Sequence, residues 1–461
     1  MLPVEDALRE IASHVPPPIQ ATLSLSQALV GHVLAADVKA AEAVPAFRAS
    51  IVDGYAIRIP SGSSNNSKGT FPVAFASHAQ GANVPELEEG KIARITTGAP
   101  LPPGADAVVM VEDTVLVSMT ADGKEEAEVE ILTSDVKAGE NVREVGSDVK
   151  ADDIVMRAGE GITAVGGEFG LLASVGTREV TVFKKPVVGV LSTGDEIVAF
   201  DREQGLRLGE VRDTNRPTLL TAVKTQGFEV VDLGIASDKY VDRPMTCKEA
   251  SLTPPSRQET LESNLRSALT KVDVLITTGG VSMGELDLLK PTIERSLGGT
   301  IHFGRVSMKP GKPTTFATIP GENIKDPSSG DRGNSSNKKV VFSLPGNPAS
   351  AVVTFMLFVL PALHQMSGIK PVGLSRVRVR LETALHCDEK REEYHRVVVS
   401  FKGQGDGSDD GLWASSTGGQ RSSRIGSFKS ANALVELPAG GGQLKRGQWV
   451  DALLMGQLGG L

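Results

Sequence analysis

The chain has 461 residues, of which 40% are hydrophobic and 23% are charged, a composition typical of soluble globular proteins rather than of disordered or membrane proteins. This length exceeds what one hydrophobic core usually fills, so we expect two to four domains. The net charge of −8 argues against general nucleic-acid binding, because such binding depends on Lys and Arg neutralising backbone phosphates. Any anion site must therefore be local.

Cysteine usage and the N-terminal residues both favour a reducing compartment. Cys247 and Cys387 are the only cysteines and have no C-x-x-C spacing, so we expect no disulfide framework. The first residues, MLPVEDALRE, contain early acids and no apolar core, so neither a secretory signal nor an Arg-rich transit peptide is visible. We therefore expect a cytoplasmic protein.

The first part of the chain predicts one helix followed by β-rich sequence. Apolar residues recur at helical spacing over residues 4–15, and the three prolines at 16–18 must end this helix. Short β-like runs between Gly, Pro and Asp clusters follow, at residues 91–96, 107–111 and 129–132. Residues 163–174 predict a second helix, ended by Gly176.

From Pro186 onwards, apolar strands alternate with helical stretches. The predicted strands are residues 187–191, 230–235, 274–278, 301–306, 314–319 and 340–344, and the predicted helices are 217–226, 258–271, 288–297 and 348–366. This alternation specifies a mostly parallel sheet covered by helices, whose ligands bind beyond the carboxyl ends of the strands. The apolar run at 351–363 is too short to span a bilayer and contains Pro361, so we expect a buried helix and no membrane span.

After Pro371 the sequence returns to β character. The predicted strands are residues 377–381, 397–401, 433–437 and 450–455, joined by Gly-rich loops, and they indicate a separate small β domain. Residues 242–256 and 321–338 are rich in polar and small residues that give little to bury, so both are predicted as surface insertions without a chemical role.

Three turns of the α/β region directly follow predicted strands. They read STGDE at 192–196, TTGGVSMG at 277–284 and LPGNP at 344–348. Each combines glycine or small polar residues with a helix start, which aims backbone N–H groups at phosphate. Asn347 is predicted as a helix N-cap and Pro348 as the first helical residue. Three such turns at successive strand ends predict an anion site on this edge of the sheet.

Charged residues near these turns suit a magnesium-bound, phosphorylated ligand. Asp195, Glu196 and Asp287 are hard oxygen ligands that suit magnesium beside a pyrophosphate, although Asp287 alone is equally explained as the cap of helix 288–297. Lys309 and Lys312 share the stiff loop MKPGKP, so we expect two nearby ammonium groups that suit an oxyanion. An ordinary solvated basic turn is the alternative.

Three other kinds of site are disfavoured by the sequence. A Walker-type P-loop is excluded because Val306 stands where glycine is required and Lys312 is followed by proline. The string GEGITA at 159–164 matches a dinucleotide fingerprint, but it lies outside the parallel α/β series. The seven histidines contain no H-E-x-x-H motif or other close pair, so we do not expect a zinc enzyme.

The chain resembles the molybdopterin molybdotransferases, which include bacterial MoeA, the plant and fungal E domains and the gephyrin E domain. The motifs that carry this resemblance are SIVDGYA at 50–56, TGAP at 97–100, STGDE at 192–196, GGVSMG at 279–284, KPGKP at 309–313 and LPGNP at 344–348. They occur in family order, and the similarity extends over about residues 2–454. Residues 301–319, 423–424 and 430–433 resemble the eukaryotic E domains most closely.

The resemblance implies a multidomain α/β protein that makes molybdenum cofactor and AMP from adenylylated molybdopterin and molybdate with Mg²⁺. We expect a discontinuous mixed α/β domain at residues 1–37 and 147–184, a β-rich domain at 38–146, an α/β molybdopterin-binding domain at 185–369 and a C-terminal β-barrel-like domain at 370–461. The implied catalytic residues are Asp287, Lys309, Lys312 and Arg396, with Asp287 and Glu196 on the metal. The implied substrate-binding residues are Asp53, Thr97, Gly98, Asp148, Ser192, Thr193, Gly194, Asp195, Ser282, Gly284, Pro345, Asn347, Ser350 and Ser427.

The resemblance also implies partners. Asp53, Thr97 and Asp148 come from the N-terminal half, which in this family a second subunit brings over the α/β cleft, so a homodimer with composite sites is expected. Eukaryotic relatives usually carry an adenylylating G domain that is not found in this sequence, so a separate molybdopterin adenylyltransferase is expected to supply the substrate.

Two alternatives remain at this stage. The fold could serve as a scaffold that anchors receptors, as in gephyrin, or the Gly-Gly-Val-Ser region could belong to a molybdopterin adenylyltransferase. The combination of Asp287, Lys309, Lys312 and Arg396 favours the transferase over the scaffold, and the flanking N- and C-terminal domains argue against the adenylyltransferase.

Overall fold

The computed structural model describes residues 1–59, 67–77, 84–236, 257–279, 288–324, 338–403 and 410–458. The predictions for Ser282, Gly284 and Asp287 concern residues outside this description. So do those for the insertion at 242–256 and for most of the insertion at 321–338.

Strands β1 to β12 occupy the N-terminal part of the chain. They are β1 Gln20–Ser24, β2 Val38–Lys39, β3 Ala49–Ser50, β4 Gly54–Ile57, β5 Gly69–Ser77, β6 Ile92–Ile95, β7 Ala107–Met110, β8 Thr114–Met119, β9 Glu126–Ile131, β10 Val142–Arg143, β11 Ile154–Met156 and β12 Glu179–Phe183. The α/β region contains β13 Val188–Thr193, β14 Ile197–Val198, β15 Val211–Arg212, β16 Val230–Ala236, β17 Val274–Thr278, β18 Thr300–Phe303, β19 Met308–Lys309, β20 Thr315–Ile319 and β21 Lys339–Leu344.

The C-terminal part contains β22 Ser375–Leu381, β23 Leu385–His386, β24 Glu392–Lys402, β25 Gly411–Ser416, β26 Ala433–Leu437, β27 Gln443–Leu444 and β28 Trp449–Leu454. The helices are α1 Val4–His14, α2 Gly167–Ser174, α3 Asn215–Thr225, α4 Arg257–Lys271, α5 Leu289–Pro291 and α6 Pro348–Met366. A wider turn at Thr292–Ser296 extends α5, and α6 contains a wider turn at Phe355–Val359. The described chain forms two compact units, one of Met1–Ala21 with Phe183–Leu461 and the other of Thr22–Val182.

A six-stranded sheet forms the centre of the first unit, in the order β16-β13-β17-β21-β20-β18. The β16-β13, β13-β17 and β17-β21 pairs are parallel, and only β20 and β18 join antiparallel. Alternate residues of the buried strands face opposite core clusters: Val274 and Ile276 pack with α1, α3 and α6, whereas Leu275 packs with α4 and α5. The predicted helix-covered, mostly parallel sheet is therefore confirmed.

Helix α6 is long and apolar enough to cross a membrane by length and composition alone, but most of it is buried in the protein. Val353, Phe358 and Leu363 are fully buried in the core cluster that also contains Val274 and Ile276. The prediction of a core helix fits this packing, and the structure offers no support for a membrane span.

A second sheet closes into a small barrel through the pairings β24-β25, β25-β22, β22-β28, β28-β26 and β26-β24. Its interior is filled by apolar residues such as Val379, Val399 and Val435, all fully buried. Strand β24 begins at Glu392, earlier than the predicted 397, because Glu393 to Val397 pair with β26. This extension places Arg396 on a barrel strand rather than in a loop.

The second unit has its own six-stranded sheet, in the order β7-β4-β6-β5-β9-β8. The second predicted helix of the chain lies in this unit and differs from the prediction, since α2 begins at Gly167 and not at 163. Thr163 is held before the helix because its N–H and hydroxyl both donate to the Glu168 carboxylate, and Gly166 then adopts φ +89°. The predicted helix start is therefore wrong by one turn.

Candidate functional site

The three predicted turns leave three successive strands of the central sheet, in the order β13-β17-β21. Ser192 on β13 is in register with Thr278 on β17, and Thr278 is in register with Leu344 on β21. The Thr193 hydroxyl donates to the Thr278 carbonyl at 3.2 Å. Because the strands are parallel, all three turns leave the same edge of the sheet, although the second is described only as far as Gly279.

Two glycines with positive φ shape these turns, and one of them allows a close approach between turns. Gly279 adopts φ +85°, and a Cβ there would lie 2.4 Å from the Thr193 carbonyl oxygen. Gly194 adopts φ +138°, and a Cβ there would lie 2.7 Å from a Glu196 carboxylate oxygen. A side chain at Gly279 would push its turn away from the first turn, whereas one at Gly194 would displace the flexible Glu196 carboxylate within the same turn. Asp195 is half-buried beside them, and Glu196 is exposed.

A polar segment at 213–216, which the sequence analysis overlooked, connects two of the turns. The buried Asp213 carboxylate accepts the Ser192 hydroxyl at 3.0 Å, and it also accepts the backbone N–H and the Nε of Arg216, at 3.1 and 2.9 Å. Asn215 donates its side-chain amide to the Gly346 carbonyl at 2.9 Å. The signal in the sequence was the Asp-Thr-Asn string directly before a predicted helix, which is typical of helix entry.

Arg396 is the largest fully buried side chain among the described residues. Its Nε donates to the Ser427 hydroxyl at 3.1 Å, but Nη1 is buried and has no hydrogen-bond partner among those residues. Burial lowers the pKa of Arg396 from 12.5 to about 10, and nearby Glu393 opposes this shift. Even so, the side chain remains charged at neutral pH, so the fold holds a buried cation whose Nη1 hydrogens are not used in hydrogen bonds among the described residues.

The loop at residues 417–428 links Arg396 to the start of α6. Gln420 accepts the Arg396 backbone N–H at 2.8 Å, while Ser422 accepts the backbone N–H of Ala349 at 3.0 Å and the Asn347 side-chain amide at 3.1 Å. Asn347 is the N-cap, as predicted, but its side chain bonds Ser422 instead of capping the helix. The loop therefore positions the α6 N-terminus relative to the guanidinium.

The two lysines of the MKPGKP loop have different surroundings. Lys309 forms an ion pair with Glu393 at 2.8 Å, whereas Lys312 is exposed and forms no ion pair with a described residue. Glu393 is itself buried, which raises its pKa, but hydrogen bonds from His395 and Lys309 outweigh burial and leave the pKa below its ordinary value. Glu393 thus remains an anion that holds Lys309 in place.

The remaining predicted residues of the first unit are Pro345, Ser350 and Ser427, all buried. Ser350 lies in the first turn of α6, where its carbonyl accepts the Thr354 hydroxyl at 2.8 Å. Ser427 donates its hydroxyl to the Arg424 carbonyl at 2.7 Å while it accepts from Arg396.

The second unit groups its predicted residues at one corner. Asp53 accepts both the N–H and the hydroxyl of Thr97, at 2.7 and 3.1 Å, and these two hydrogen bonds lower its pKa. Gly98 donates its N–H to Ser50, whose strand pairs with Val142 and Arg143. Asp148 forms an ion pair with Arg143. A short network of hydrogen bonds, strand pairing and one ion pair therefore connects Asp53, Thr97, Gly98 and Asp148.

Comparisons with known proteins cover almost the whole chain. The MoeA N-terminal region (domains I and II) matches residues 2–176, a probable molybdopterin-binding domain matches 189–365, and the MoeA C-terminal region (domain IV) matches 378–455. The crystal structure of a molybdopterin biosynthesis MoeA protein from Pyrococcus horikoshii superposes with a TM-score of 0.72 and 27% identity, covering 99% of this chain and all of that chain.

Curated relatives agree with these matches. Gephyrin from Dictyostelium discoideum is 35% identical over 93% of this chain and 58% of its own length, and the cinnamon protein from Drosophila melanogaster is 36% identical over 95% and 63%. The chain thus spans about three fifths of these two proteins. A molybdopterin molybdenumtransferase from Nostoc is 32% identical over 89% of this chain and 83% of its own length. On these findings, the chain belongs to the MoeA family of molybdopterin molybdenumtransferases.

Proposed function

We propose that this protein transfers molybdenum from molybdate to adenylylated molybdopterin and releases AMP, which completes the molybdenum cofactor. Membership of the MoeA family supports the insertion step. The observation that carries the proposal is Arg396, a fully buried cation whose Nη1 has no partner among the described residues. A buried guanidinium with an unused donor suits a tetrahedral oxyanion, since charge-assisted hydrogen bonds to oxyanions are the strong ones.

The oxyanion is proposed to bind where the 417–428 loop meets α6. Arg396 supplies charge, Ser427 holds its guanidinium in position, and the α6 N-terminus adds the positive end of a long helix. Lys312 is exposed and available for the anion, whereas Lys309 is held by Glu393. Ser350 supplies a further hydroxyl in the first turn of α6. Arg396, Lys312 and Ser350 are therefore proposed to hold molybdate or the pterin phosphate, with Ser427 orienting Arg396 and with Lys309 joining them once the anion replaces its pairing with Glu393.

The nucleotide is proposed to lie along the three turns. The first turn contains Ser192, Thr193 and Gly194, and the third turn contains Pro345 and Asn347. The second turn contains Ser282 and Gly284, which follow Gly279 in the sequence. The exposed carboxylate of Glu196, which lies against Gly194, offers hard oxygen atoms that fit Mg²⁺, and Asp287 is the second proposed ligand. Magnesium bound there would neutralise charge on the phosphoanhydride. The turns themselves align the phosphates, because Asp213 holds Ser192 and Asn215 holds Gly346.

A homodimer is proposed to complete each site. The network of Asp53, Thr97, Gly98 and Asp148 lies on exposed polar surface, and the two hydrogen bonds from Thr97 lower the pKa of Asp53 and fix its carboxylate in position. In the dimer, this corner from one subunit would face the anion site of the other. Light scattering at micromolar concentration should give twice the chain mass, and a fully active monomer would refute this part of the proposal.

The direct test supplies purified protein with adenylylated molybdopterin, molybdate and magnesium, and measures AMP together with active cofactor. AMP release that requires molybdate supports the proposal. Absence of AMP with retained peptide binding would favour a receptor-anchoring scaffold. Incubation with molybdopterin and magnesium-ATP is the control for the other alternative, since pyrophosphate formation would indicate an adenylyltransferase.

The source of the substrate and the compartment complete the proposal. We infer that a molybdopterin adenylyltransferase domain on another chain donates the adenylylated pterin, and that both act in the cytoplasm. Mixing the protein with such a domain should raise the rate of AMP formation above that with diffusing substrate, and an unchanged rate would argue against direct transfer.

A further inference from the structure

A cluster of three metal-ligating side chains lies outside the anion site in the described part of the chain. Glu10 and His14 are one turn apart on α1, and His302 lies on β18, the edge strand of the central sheet. One ligand atom from each of the three residues lies within 4.8 Å of the others. The two imidazole rings are adjacent, with their centroids 3.8 Å apart.

Each imidazole has one nitrogen held by the protein. His14 Nδ1 lies 2.9 Å from the Glu10 carbonyl oxygen, and His302 Nε2 lies 2.9 Å from the Thr318 hydroxyl. These hydrogen bonds orient the rings, and His14 Nδ1 also lies 3.4 Å from a Glu10 carboxylate oxygen. Histidines that bind metals are usually held through their second nitrogen in this way.

The electrostatic surroundings are compatible with an ion. Burial lowers the pKa of His302, as do the neighbouring His14 and Lys338, whereas Glu10 opposes the shift. Lys338 disfavours a cation, and the Glu10 carboxylate compensates for it.

We propose that Glu10, His14 and His302 form a binding site for a zinc-class divalent ion. Two imidazoles and one carboxylate are an established zinc ligand set, with water in the fourth position. Magnesium and calcium are disfavoured because they prefer oxygen ligands. The site is separate from the proposed transferase chemistry and does not depend on it.

The geometry requires a modest adjustment. Ligand atoms around tetrahedral zinc are roughly 3.4 Å apart, given bonds of about 2.1 Å, so atoms that lie within 4.8 Å of one another must approach by at most about 1.4 Å. The His14 and Glu10 side chains are 35% and 43% exposed, which leaves them free to change torsion angles. A bound ion would join α1 to the edge strand and so stabilise the packing of α1 against the sheet.

The test uses the full chain after treatment with EDTA and dialysis. Zinc is titrated in competition with a chromogenic chelator, and melting is followed with and without zinc. We expect one zinc ion per chain at micromolar concentration, together with an increase in melting temperature, because an ion that binds only the folded state stabilises it. His14→Ala and His302→Ala should each weaken binding by roughly tenfold or more and remove the increase.

Two controls make the outcome decisive. His386→Ala removes an exposed histidine on β23 and should leave zinc binding unchanged. Glu10→Gln changes an exposed helical position and should weaken binding even if a histidine variant fails to fold. Unchanged stoichiometry and affinity in the His14→Ala, His302→Ala double variant would overturn the proposal, as would the absence of zinc binding by the unaltered protein.

Discussion

Replacing Arg396 by Met should separate anion binding from folding. The guanidinium is fully buried, donates to the Ser427 hydroxyl at 3.1 Å and to the Arg421 carbonyl at 3.5 Å, and keeps Nη1 without a partner among the described residues. A buried charge that is only partly satisfied destabilises the fold. Methionine has a similar length and no charge, so it should occupy the same space without that cost.

The magnitude follows from the pKa of Arg396, which burial lowers from 12.5 to about 10. At 1.36 kcal/mol per pKa unit, the charged form is destabilised by about 3 kcal/mol. The folded-state pKa of this base is depressed, so the cost is fully present below about pH 10 and declines as the pH rises towards 12.5. Losing the Ser427 hydrogen bond costs about 1 kcal/mol. Arg396→Met should therefore raise the free energy of unfolding at pH 7 by about 2 kcal/mol.

Although the Arg396→Met protein should be more stable, its affinity for molybdate should be lower. Charge-assisted hydrogen bonds contribute about 1.5–3 kcal/mol each, so the molybdate concentration for half-maximal AMP release should rise roughly 10- to 150-fold. Urea unfolding at pH 7 and the molybdate dependence of AMP release measure the two effects. Arg378→Met is the matched control, because Arg378 is 62% exposed and pairs with Asp451 on the barrel surface. A destabilised Arg396→Met protein with an unchanged half-saturation concentration would refute this reasoning.

Three further substitutions test the turns. Gly279→Ala should lower the free energy of unfolding, measured with urea, by at least about 2 kcal/mol, because a Cβ would meet the Thr193 carbonyl oxygen at 2.4 Å. Gly209→Ala is the matched control: Gly209 has φ +90°, but a Cβ there meets nothing within 4 Å, so the loss of stability should be smaller. Asp213→Ala should raise KM for adenylylated molybdopterin more than it lowers kcat, since it removes the acceptor of the Ser192 hydroxyl, and an unchanged KM would contradict the positioning role. Asp287→Asn should abolish magnesium-dependent AMP release with little change in melting temperature, because the substitution keeps the size of the side chain and removes only the charge that a magnesium ligand needs; normal single-turnover release would remove Asp287 from the mechanism.

Strand positions were readable from the sequence because they depend on local patterns. The strands predicted at 274–278 and 433–437 have the observed bounds, since short apolar runs ended by Gly or Pro determine them locally. Element starts were less predictable. Helix α2 begins late because the Glu168 side chain holds Thr163 outside it, and this contact does not follow from propensity.

The sequence by itself determined the family and the residues at the ends of the strands. Its motifs are contiguous strings, and the order of strands and helices determines which turns leave the same edge of a parallel sheet. Only the tertiary structure decided the charge environment of those residues. The burial of Arg396 depends on barrel closure, the pairing of Lys309 with Glu393 depends on β19 joining β24, and the contact between His14 and His302 depends on α1 packing beside an edge strand. These contacts join residues far apart in the chain, and their energies depend on burial and distance, which no local pattern specifies.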